Sequence, residues 1–100
     1  MEIRFRTSKL QRQYERSSAA VQAYGKQVAY KYVQRINLIK HSRSVEDLQR
    51  LPGLDCHPLK GDRAGQWAVK LTGFYRLIFT LDGEQLEIAL IEEVSKHYDD

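Results

Sequence analysis

Two histidines and several cationic side chains in the second half of the chain could carry proton-transfer and anion-binding chemistry. The stretch HPLKGDRAGQWAVKLTGFYRL, residues 57–77, holds one histidine and four lysines or arginines, and His97 lies beside Tyr98 near the end of the chain. Histidine can accept or donate a proton near neutral pH. Lysine and arginine stabilise negative charge that develops in a transition state. These residue types therefore suit acid–base chemistry on an anionic substrate.

The same residues do not indicate a metal centre. The three histidines, His41, His57 and His97, show no ligand spacing, and the acidic residues fall mostly in predicted turns and in the tail. Cys56 is the single cysteine, which excludes an internal disulfide framework and leaves too few thiolates for a structural zinc site. We therefore expect neither a metal nor another cofactor.

Length and composition narrow the class of protein. One hundred residues, of which 42% are hydrophobic, predict a single folded domain over residues 1–100. No apolar run approaches the roughly 20 residues of a membrane span. The N-terminus also lacks the apolar core of a signal peptide. The sequence thus predicts a soluble, cytoplasmic protein without a membrane partner.

Charge is distributed unevenly along the chain. Residues 1–50 hold eleven Lys or Arg against four Asp or Glu, a balance of +7, whereas residues 51–100 hold five against nine, a balance of −4. A basic half suits an anionic partner, either nucleic acid or an acidic protein segment that competes for the same surface. A solvated face of Lys and Arg on a pair of helices would explain the charge equally well.

The first half of the sequence predicts a strand followed by two helices. Hydrophobic and charged residues alternate over residues 2–7, as in a half-buried strand. A helix over residues 9–24 follows, capped by Ser8 and ended by Gly25, which can adopt a left-handed conformation. A second helix is predicted over residues 26–41, because its hydrophobic residues form one stripe.

After Pro52 the hydrophobic period changes from helical to alternating, which predicts a three-stranded antiparallel meander. A three-residue turn over residues 72–74 keeps the apolar residues of the first hairpin on one face. Asp82 and Gly83 predict a two-residue turn in the second hairpin. The registers expected from these turns pair Leu71 with Tyr75, Val69 with Leu77, Trp67 with Phe79, Phe79 with Leu86, Leu77 with Ile88 and Tyr75 with Leu90.

These elements predict an α+β fold in which two N-terminal helices pack on a small, mainly antiparallel sheet, in the order β-α-α-β-β-β. The register places Lys70 directly opposite Arg76 on the sheet face away from the helices, beside Ala89. Opposed like charges are destabilising unless solvent or an anion relieves them, so this face is predicted to form a cleft lined by cations. The alternative is that both side chains extend into water. The face expected to pack against the helices consists of Val69, Leu71, Leu77, Phe79, Ile88 and Leu90.

Three motifs in this order of elements resemble one group of bacterial proteins. HPLKGDRAGQW, YRLIF and the closing VSKHYD resemble the RelE/ParE superfamily of type II toxins, most closely its HigB-like branch, the plasmid maintenance system killer toxins. The resemblance extends over nearly the whole chain. It implies a ribosome-dependent mRNA endonuclease that cleaves mRNA during translation by metal-independent attack of the ribose 2′-OH. It also implies an antitoxin partner of the HigA-like helix-turn-helix type, besides the ribosome and mRNA.

The resemblance further implies roles for particular residues. The residues expected to be catalytic are His57, Lys60, Arg76, His97 and Tyr98. Lys70 and Arg63 are expected to bind phosphate or RNA. Two positions depart from the family pattern. Lys96 stands where a carboxylate is common, and position 70 is a lysine where arginine is frequent, which replaces a bidentate group by a point charge.

Two other functions remain open from the sequence. ParE-like toxins have the same fold and inhibit DNA gyrase, but they lack the acid–base side chains that His57, His97 and Tyr98 supply here. A non-catalytic RNA- or ribosome-binding module that uses the basic helices is the other alternative. Charge alone does not distinguish it from a nuclease.

Overall fold

The computed structural model describes residues 1–96, in which helices cover one face of a five-stranded sheet. The strands are β1 (Glu2–Phe5), β2 (His57–Pro58), β3 (Gln66–Lys70), β4 (Tyr75–Asp82) and β5 (Ile88–Lys96), in the spatial order β1-β5-β4-β3-β2. β1 runs parallel to β5, and the other neighbours are antiparallel. The helices are α1 (Ser8–Glu15), α2 (Ser17–Tyr24), α3 (Lys26–His41) and α4 (Val45–Gln49). The predicted α+β fold is confirmed, with β2 as an additional strand.

The core lies between α3 and the sheet. Helix α3 has the predicted bounds and begins after Gly25, whose φ of 83° favours glycine. The hydroxyl of the fully buried Tyr32 on α3 donates a hydrogen bond of 2.8 Å to the carbonyl of Leu10, which ties α1 to α3. Within residues 1–96, no helix combines the length and the apolar character that crossing a membrane requires. The core residues shared by α3 and the sheet include Val28, Tyr32, Ile36, Ile39, Val69, Leu77, Phe79 and Ile91.

The first predicted helix is divided in two, so the prediction of one helix over residues 9–24 was wrong. Arg16 adopts an extended conformation, with φ −126° and ψ 108°, between α1 and α2. The break allows α2 to fold back on α1, where the Tyr24 hydroxyl donates a hydrogen bond of 2.6 Å to Oε1 of the buried Gln13. The cap was also misplaced by one residue, because the Thr7 side chain, rather than that of Ser8, accepts from the Leu10 amide.

The hairpin of β3 and β4 has the predicted register. Trp67 pairs with Phe79 and Val69 with Leu77, and the three-residue turn closes with a hydrogen bond of 2.9 Å from the Leu71 amide to the Tyr75 carbonyl. Lys70 therefore pairs with Arg76, as expected. The first hairpin confirms the argument that hydrophobic residues of both strands must share one face.

The hairpin of β4 and β5 does not have the predicted register. Residues 83–87 form a five-residue loop in which both Gly83 and Leu86 have positive φ, in place of the two-residue turn. Phe79 consequently pairs with Ile91 rather than Leu86. A β-bulge at Glu92 shifts the register by one further residue towards the end of β5.

The longer loop also reverses the faces of β5, because successive side chains alternate between the two faces of a sheet. Ala89 and Ile91 belong to the core, whereas Ile88 and Leu90, predicted to be core, pair with Asp82 and Thr80 on the other face. The prediction that Ala89 lies beside Lys70 and Arg76 was therefore wrong. Ser95 occupies that position, opposite Arg76.

Candidate active site

The sheet face that the helices leave uncovered, here called the open face, brings together most of the predicted site residues that the structure describes. Lys70 on β3 and Arg76 on β4 are directly opposed there. His57 on β2 pairs with Ala68, which precedes Lys70 by two residues and so lies on the same face. Three adjacent strands thus place a histidine and two cations on one surface.

The two opposed cations are held differently. The Lys70 side chain is exposed, whereas Arg76 is half-buried and its Nη1 donates hydrogen bonds of 2.8 Å to the Thr72 carbonyl and 3.1 Å to the Tyr75 carbonyl. Thr72 lies in the turn between β3 and β4 and Tyr75 is the first residue of β4, so this end of the hairpin fixes the guanidinium. Arg76 is consequently a preorganised cation, while Lys70 is a flexible one.

The end of β3 is anchored from the helical layer. Arg35 on α3 donates from Nε to the Lys70 carbonyl over 2.9 Å, and the Lys70 amide donates to the Leu54 carbonyl over 2.8 Å. Burial lowers the pKa of Arg35 below its ordinary value. Because both backbone groups of Lys70 are engaged, the strand presents its side chain from a fixed position. Arg35 is a structural residue of this site that the sequence did not reveal.

The imidazole of His57 has a defined orientation. Its Nδ1 lies 2.8 Å from the Asp55 carbonyl, which can only accept a hydrogen bond, so Nδ1 carries the proton. In the neutral ring the basic nitrogen is then Nε2. The bond depends on a turn in which Asp55 has φ 51°, a left-handed conformation that aspartate tolerates better than most residues. His57 is therefore suited to accept a proton through Nε2.

Arg63 reaches the open face from the loop between β2 and β3, but it is paired there. Its Nε donates to Gln66 Oε1 over 2.7 Å, and its Nη2 donates to Glu93 Oε2 over 2.8 Å. Glu93 pairs with Ile78, in the same cross-strand row as Ala68 and His57. Arg63 thus neutralises a carboxylate on β5, three strands away from His57 in the same row, and its binding of phosphate or RNA stays a prediction.

The backbone of Lys60 lies away from that of the opposed cations. It lies at the tip of the hairpin between β2 and β3, next to Leu59, whose amide donates to the Gln66 carbonyl over 2.8 Å. Gln66 and Lys70 stand at opposite ends of β3, and a strand rises by roughly 3.3 Å per residue, so about 13 Å of backbone separates these ends. The backbone of Lys60 consequently lies at the far edge of the open face.

The last two predicted residues, His97 and Tyr98, lie outside the described residues. The description ends at Lys96, which pairs with Tyr75, the chain neighbour of Arg76. The Lys96 Nζ lies 6.0 Å from the centre of the Tyr75 ring. The described part of β5 therefore ends beside the turn that holds the Arg76 guanidinium.

Sequence reasoning missed the carboxylates of the open face. Glu92 forms the bulge of β5, where its side chain is 8% exposed and accepts from Thr80 Oγ1 at 2.8 Å and from Arg6 Nη1 at 2.7 Å. Its neighbour Glu93 accepts a hydrogen bond from Arg63 Nη2. A signal was present in the sequence, because two consecutive glutamates interrupt the apolar run of residues 88–94. The partners of these two glutamates depend on the β-bulge, and an alternating hydrophobic pattern does not predict a bulge.

Cys56 is not a candidate nucleophile. Burial raises the pKa of its thiol to about 12, and the neighbouring Asp55 carboxylate adds to this effect. The thiolate is the reactive form, so the residue is inert at neutral pH. Within residues 1–96, the structure brings together no three His, Cys, Asp or Glu side chains that could hold a metal ion.

Solved structures that resemble this chain include three with bacterial toxins. The YoeB/ParE toxin from Agrobacterium tumefaciens has a TM-score of 0.67 and 21% identity over 98% of this chain and 100% of that one. The YoeB-YefM complex from Staphylococcus aureus has a TM-score of 0.64 and 18% identity over 98% of this chain and 98% of that one. YafQ from E. coli has a TM-score of 0.61 and 15% identity over 95% of this chain and 91% of that one. At these identities the likeness shows a common fold.

The sequence comparison is more specific. Curated proteins give no match to this chain. Residues 3–92, however, match the HigB-like toxin family, described as the RelE-like toxin of type II toxin-antitoxin system HigB. The match includes β2, β3 and β4, the first part of β5, and every predicted site residue within residues 1–96. The protein belongs to the HigB-like family of RelE-like toxins of type II toxin-antitoxin systems.

Proposed function

We propose that the protein is a ribosome-dependent mRNA endonuclease that cleaves mRNA during translation by attack of a ribose 2′-OH on the adjacent phosphate. The observation that supports this most directly is the opposition of Lys70 and Arg76 on the open face, on the same face as His57. RNA cleavage by this route needs a proton acceptor, a proton donor and fixed positive charge at the phosphate, and it needs no metal.

The reaction assigns one task to each group. His57 Nε2 takes the proton of the 2′-OH, the 2′-oxygen bonds to phosphorus, and the bond from phosphorus to the 5′-oxygen breaks. Protonated His97 gives its proton to the departing 5′-oxygen, and Tyr98 contacts the same phosphate. The products are a 2′,3′-cyclic phosphate and a 5′-hydroxyl, so that every proton and bond is accounted for.

The cations stabilise the pentavalent intermediate. Arg76 supplies a guanidinium that the turn carbonyls hold in position before substrate binds, and such preorganised charge is usually the largest single contribution to catalysis. Lys70 adds a mobile ammonium from the opposite strand. Arg63 keeps Glu93 neutralised and so limits its repulsion of the phosphate. Lys60, at the far edge of the face, contacts the mRNA backbone outside the scissile phosphate.

The partners follow from the family and the charge. A type II toxin has a cognate antitoxin, and we propose the HigA-like helix-turn-helix type. The basic first half of the chain, with its balance of +7, suits the phosphates of ribosomal RNA. The substrate is mRNA held on a translating ribosome, which places the activity in the cytoplasm.

The proposal is tested by translation in vitro with purified toxin, followed by mapping of mRNA 5′ ends and supercoiling assays with gyrase. We expect new ends within codons when ribosomes translate, intact mRNA without ribosomes, and unaffected supercoiling. At saturating ribosomes, Arg76→Ala should abolish the cuts, whereas Arg50→Ala, at an exposed arginine that caps the C-terminus of α4, should leave them unchanged. Inhibited supercoiling with intact mRNA would instead identify a gyrase inhibitor, and ribosome binding without cuts a non-catalytic module.

A further inference from the structure

A cavity of about 340 Å³ lies between α1 and α2. The extended Arg16 allows α2 to fold back on α1, and each helix contributes one face to the lining, at positions three and four residues apart. The volume is within the roughly 300–1,000 Å³ that is typical of small-molecule sites. The lining residues are Lys9, Arg12, Gln13, Ala19, Gln22 and Ala23.

Gln13 is a buried polar residue in the wall of this cavity, and its hydrogen-bonding capacity is only partly used. The residue is 3% exposed, and its Oε1 accepts the hydrogen bond from the Tyr24 hydroxyl. Its Nε2 carries two N–H donors, and neither donates to a protein group within residues 1–96. Buried donors nearly always have an acceptor, because an unsatisfied one is costly. The wall therefore offers two donors to an occupant that can accept hydrogen bonds.

Two cations line the same cavity. Lys9 lies one helical turn before Gln13, and Arg12 directly precedes it. In the described part of the chain, neither cationic side chain forms an ion pair or a hydrogen bond. The acid nearest in sequence, Glu15, is not in the lining and accepts instead from Gln11 Nε2 over 3.2 Å. Because none of the described lining residues is acidic, the cavity suits an anion.

The α2 side of the cavity indicates which kind of anion fits. Ala19 and Ala23 contribute methyl groups one turn apart, and Gln22 adds a second amide. An inorganic ion would leave these methyl groups in water, whereas an organic group can pack against them. A phosphate monoester also has three terminal oxygens, enough to accept from both cations and from the Gln13 amide. A phosphodiester has only two and continues as a chain on both sides, which suits an open surface better than a cavity between packed helices.

We propose that the cavity between α1 and α2 binds the terminal phosphate of a small organic phosphate of the size of a nucleoside 5′-monophosphate. Lys9 and Arg12 pair with the phosphate, and Gln13 Nε2 donates to one of its oxygens. The organic part lies against the methyl groups of α2. The cavity belongs to the helical layer, so this site is separate from the opposed cations of the open face. The proposal is independent of the nuclease assignment.

The test titrates the whole protein with adenosine 5′-monophosphate, without ribosomes or mRNA, by calorimetry and by two-dimensional NMR. We expect saturable binding at one site and a shift of the Gln13 side-chain amide signals. Adenosine should not bind, because it lacks the phosphate, and inorganic phosphate should bind more weakly than the monophosphate. The absence of saturable binding would overturn the proposal. Inorganic phosphate that binds as tightly as the monophosphate would contradict the role of the organic part.

Variants locate the site. Gln13→Glu keeps an oxygen for the Tyr24 hydroxyl but replaces the amide donors by a negative charge, so it should abolish binding. Arg12→Gln should raise Kd by about 10-fold or more, the usual effect of losing a charge-assisted hydrogen bond. Ala23→Leu should block binding by filling the cavity without a change of charge. Lys40→Gln is the matched control, because Lys40 is exposed on α3 and outside the lining, and its Kd should equal that of wild type.

Circular dichroism melting of each variant verifies that the fold is retained. Arg12 and Ala23 are exposed, so their variants keep the test decisive even if the Gln13→Glu protein does not fold. Wild-type affinity in folded Arg12→Gln and Ala23→Leu would overturn the proposal. NMR shifts confined to β3 and β4 would also overturn it, because they would place the nucleotide on the open face. An oligoribonucleotide without a terminal phosphate that binds the cavity more tightly than the monophosphate would identify an RNA strand as the occupant instead.

Discussion

Lys70 and Arg76 face each other across β3 and β4, and both side chains project from the sheet face that the helices leave uncovered. Like charges at directly opposed positions destabilise a sheet by roughly 0.2–1 kcal/mol. On a face that the helices leave uncovered, solvent or an anion can relieve such repulsion. The opposed cations therefore suit an anionic ligand.

The first prediction tests the repulsion between Lys70 and Arg76. Lys70→Gln should raise the free energy of unfolding by about 0.2–1 kcal/mol, because it removes the repulsion from Arg76, and it should lower the rate of mRNA cleavage. Urea unfolding and single-turnover cleavage measure the two effects. Arg50→Gln, at an exposed arginine whose nearest carboxylate oxygen is 3.8 Å away, should change neither. A destabilised Lys70→Gln protein would contradict the repulsion.

The second prediction concerns the preorganised arginine. Arg76→Ala should reduce single-turnover cleavage by about 100- to 1,000-fold, the usual effect of losing one fixed transition-state contact. The loss should appear in the rate at saturating ribosomes rather than in ribosome affinity. Arg76→Lys keeps the charge but replaces the planar, multidentate guanidinium by a single ammonium, so we expect an intermediate rate. Wild-type rates in a folded Arg76→Ala protein would remove the residue from the site.

The first hairpin of the meander could be predicted because only one register of β3 against β4 places the apolar residues on one face and the charged residues on the other. Trp67, Val69 and Leu71 must share a face with Leu77 and Phe79, and a slip of one residue would expose them. The position of Lys70 opposite Arg76 follows directly. Local sequence therefore determined this part of the site.

The second hairpin could not be predicted in the same way. Asp82 and Gly83 favour a tight turn, but Leu86 adopts a positive φ that its side chain disfavours, and the bulge at Glu92 adds a further shift. β5 also pairs with β1, at the other end of the chain, and the local pattern of residues 75–96 contains no information about that pairing. The ion pair of Arg63 with Glu93, which depends on this register, was consequently invisible in the sequence.

The third prediction concerns alkaline pH. The folded-state pKa of Cys56 is raised to about 12, mainly by burial, above its ordinary value of 9.0. The unfolded chain therefore releases this proton first, and the stability that the protonated thiol contributes is present below pH 9 and is lost as pH rises from 9 towards 12. Cys56→Ala should show a smaller decline over that range in urea unfolding. Iodoacetamide should label native Cys56 far more slowly than the unfolded chain at pH 9, and equal labelling rates would contradict the burial effect.

The last prediction separates the stabilising role of the Arg63–Glu93 pair from its role in cleavage. Arg63 and Glu93 are 34% and 49% exposed, so their coupling in unfolding experiments should be small, about 0.2–1 kcal/mol. Cleavage should respond more strongly. Arg63→Gln leaves Glu93 as an unneutralised negative charge in the same cross-strand row as His57, where it repels the substrate phosphate. Glu93→Gln removes that charge, so the double variant should recover most of the rate that Arg63→Gln loses. If Arg63 instead binds phosphate directly, the double variant will be as slow as Arg63→Gln alone, and single-turnover cleavage by the four proteins of the cycle decides between these outcomes.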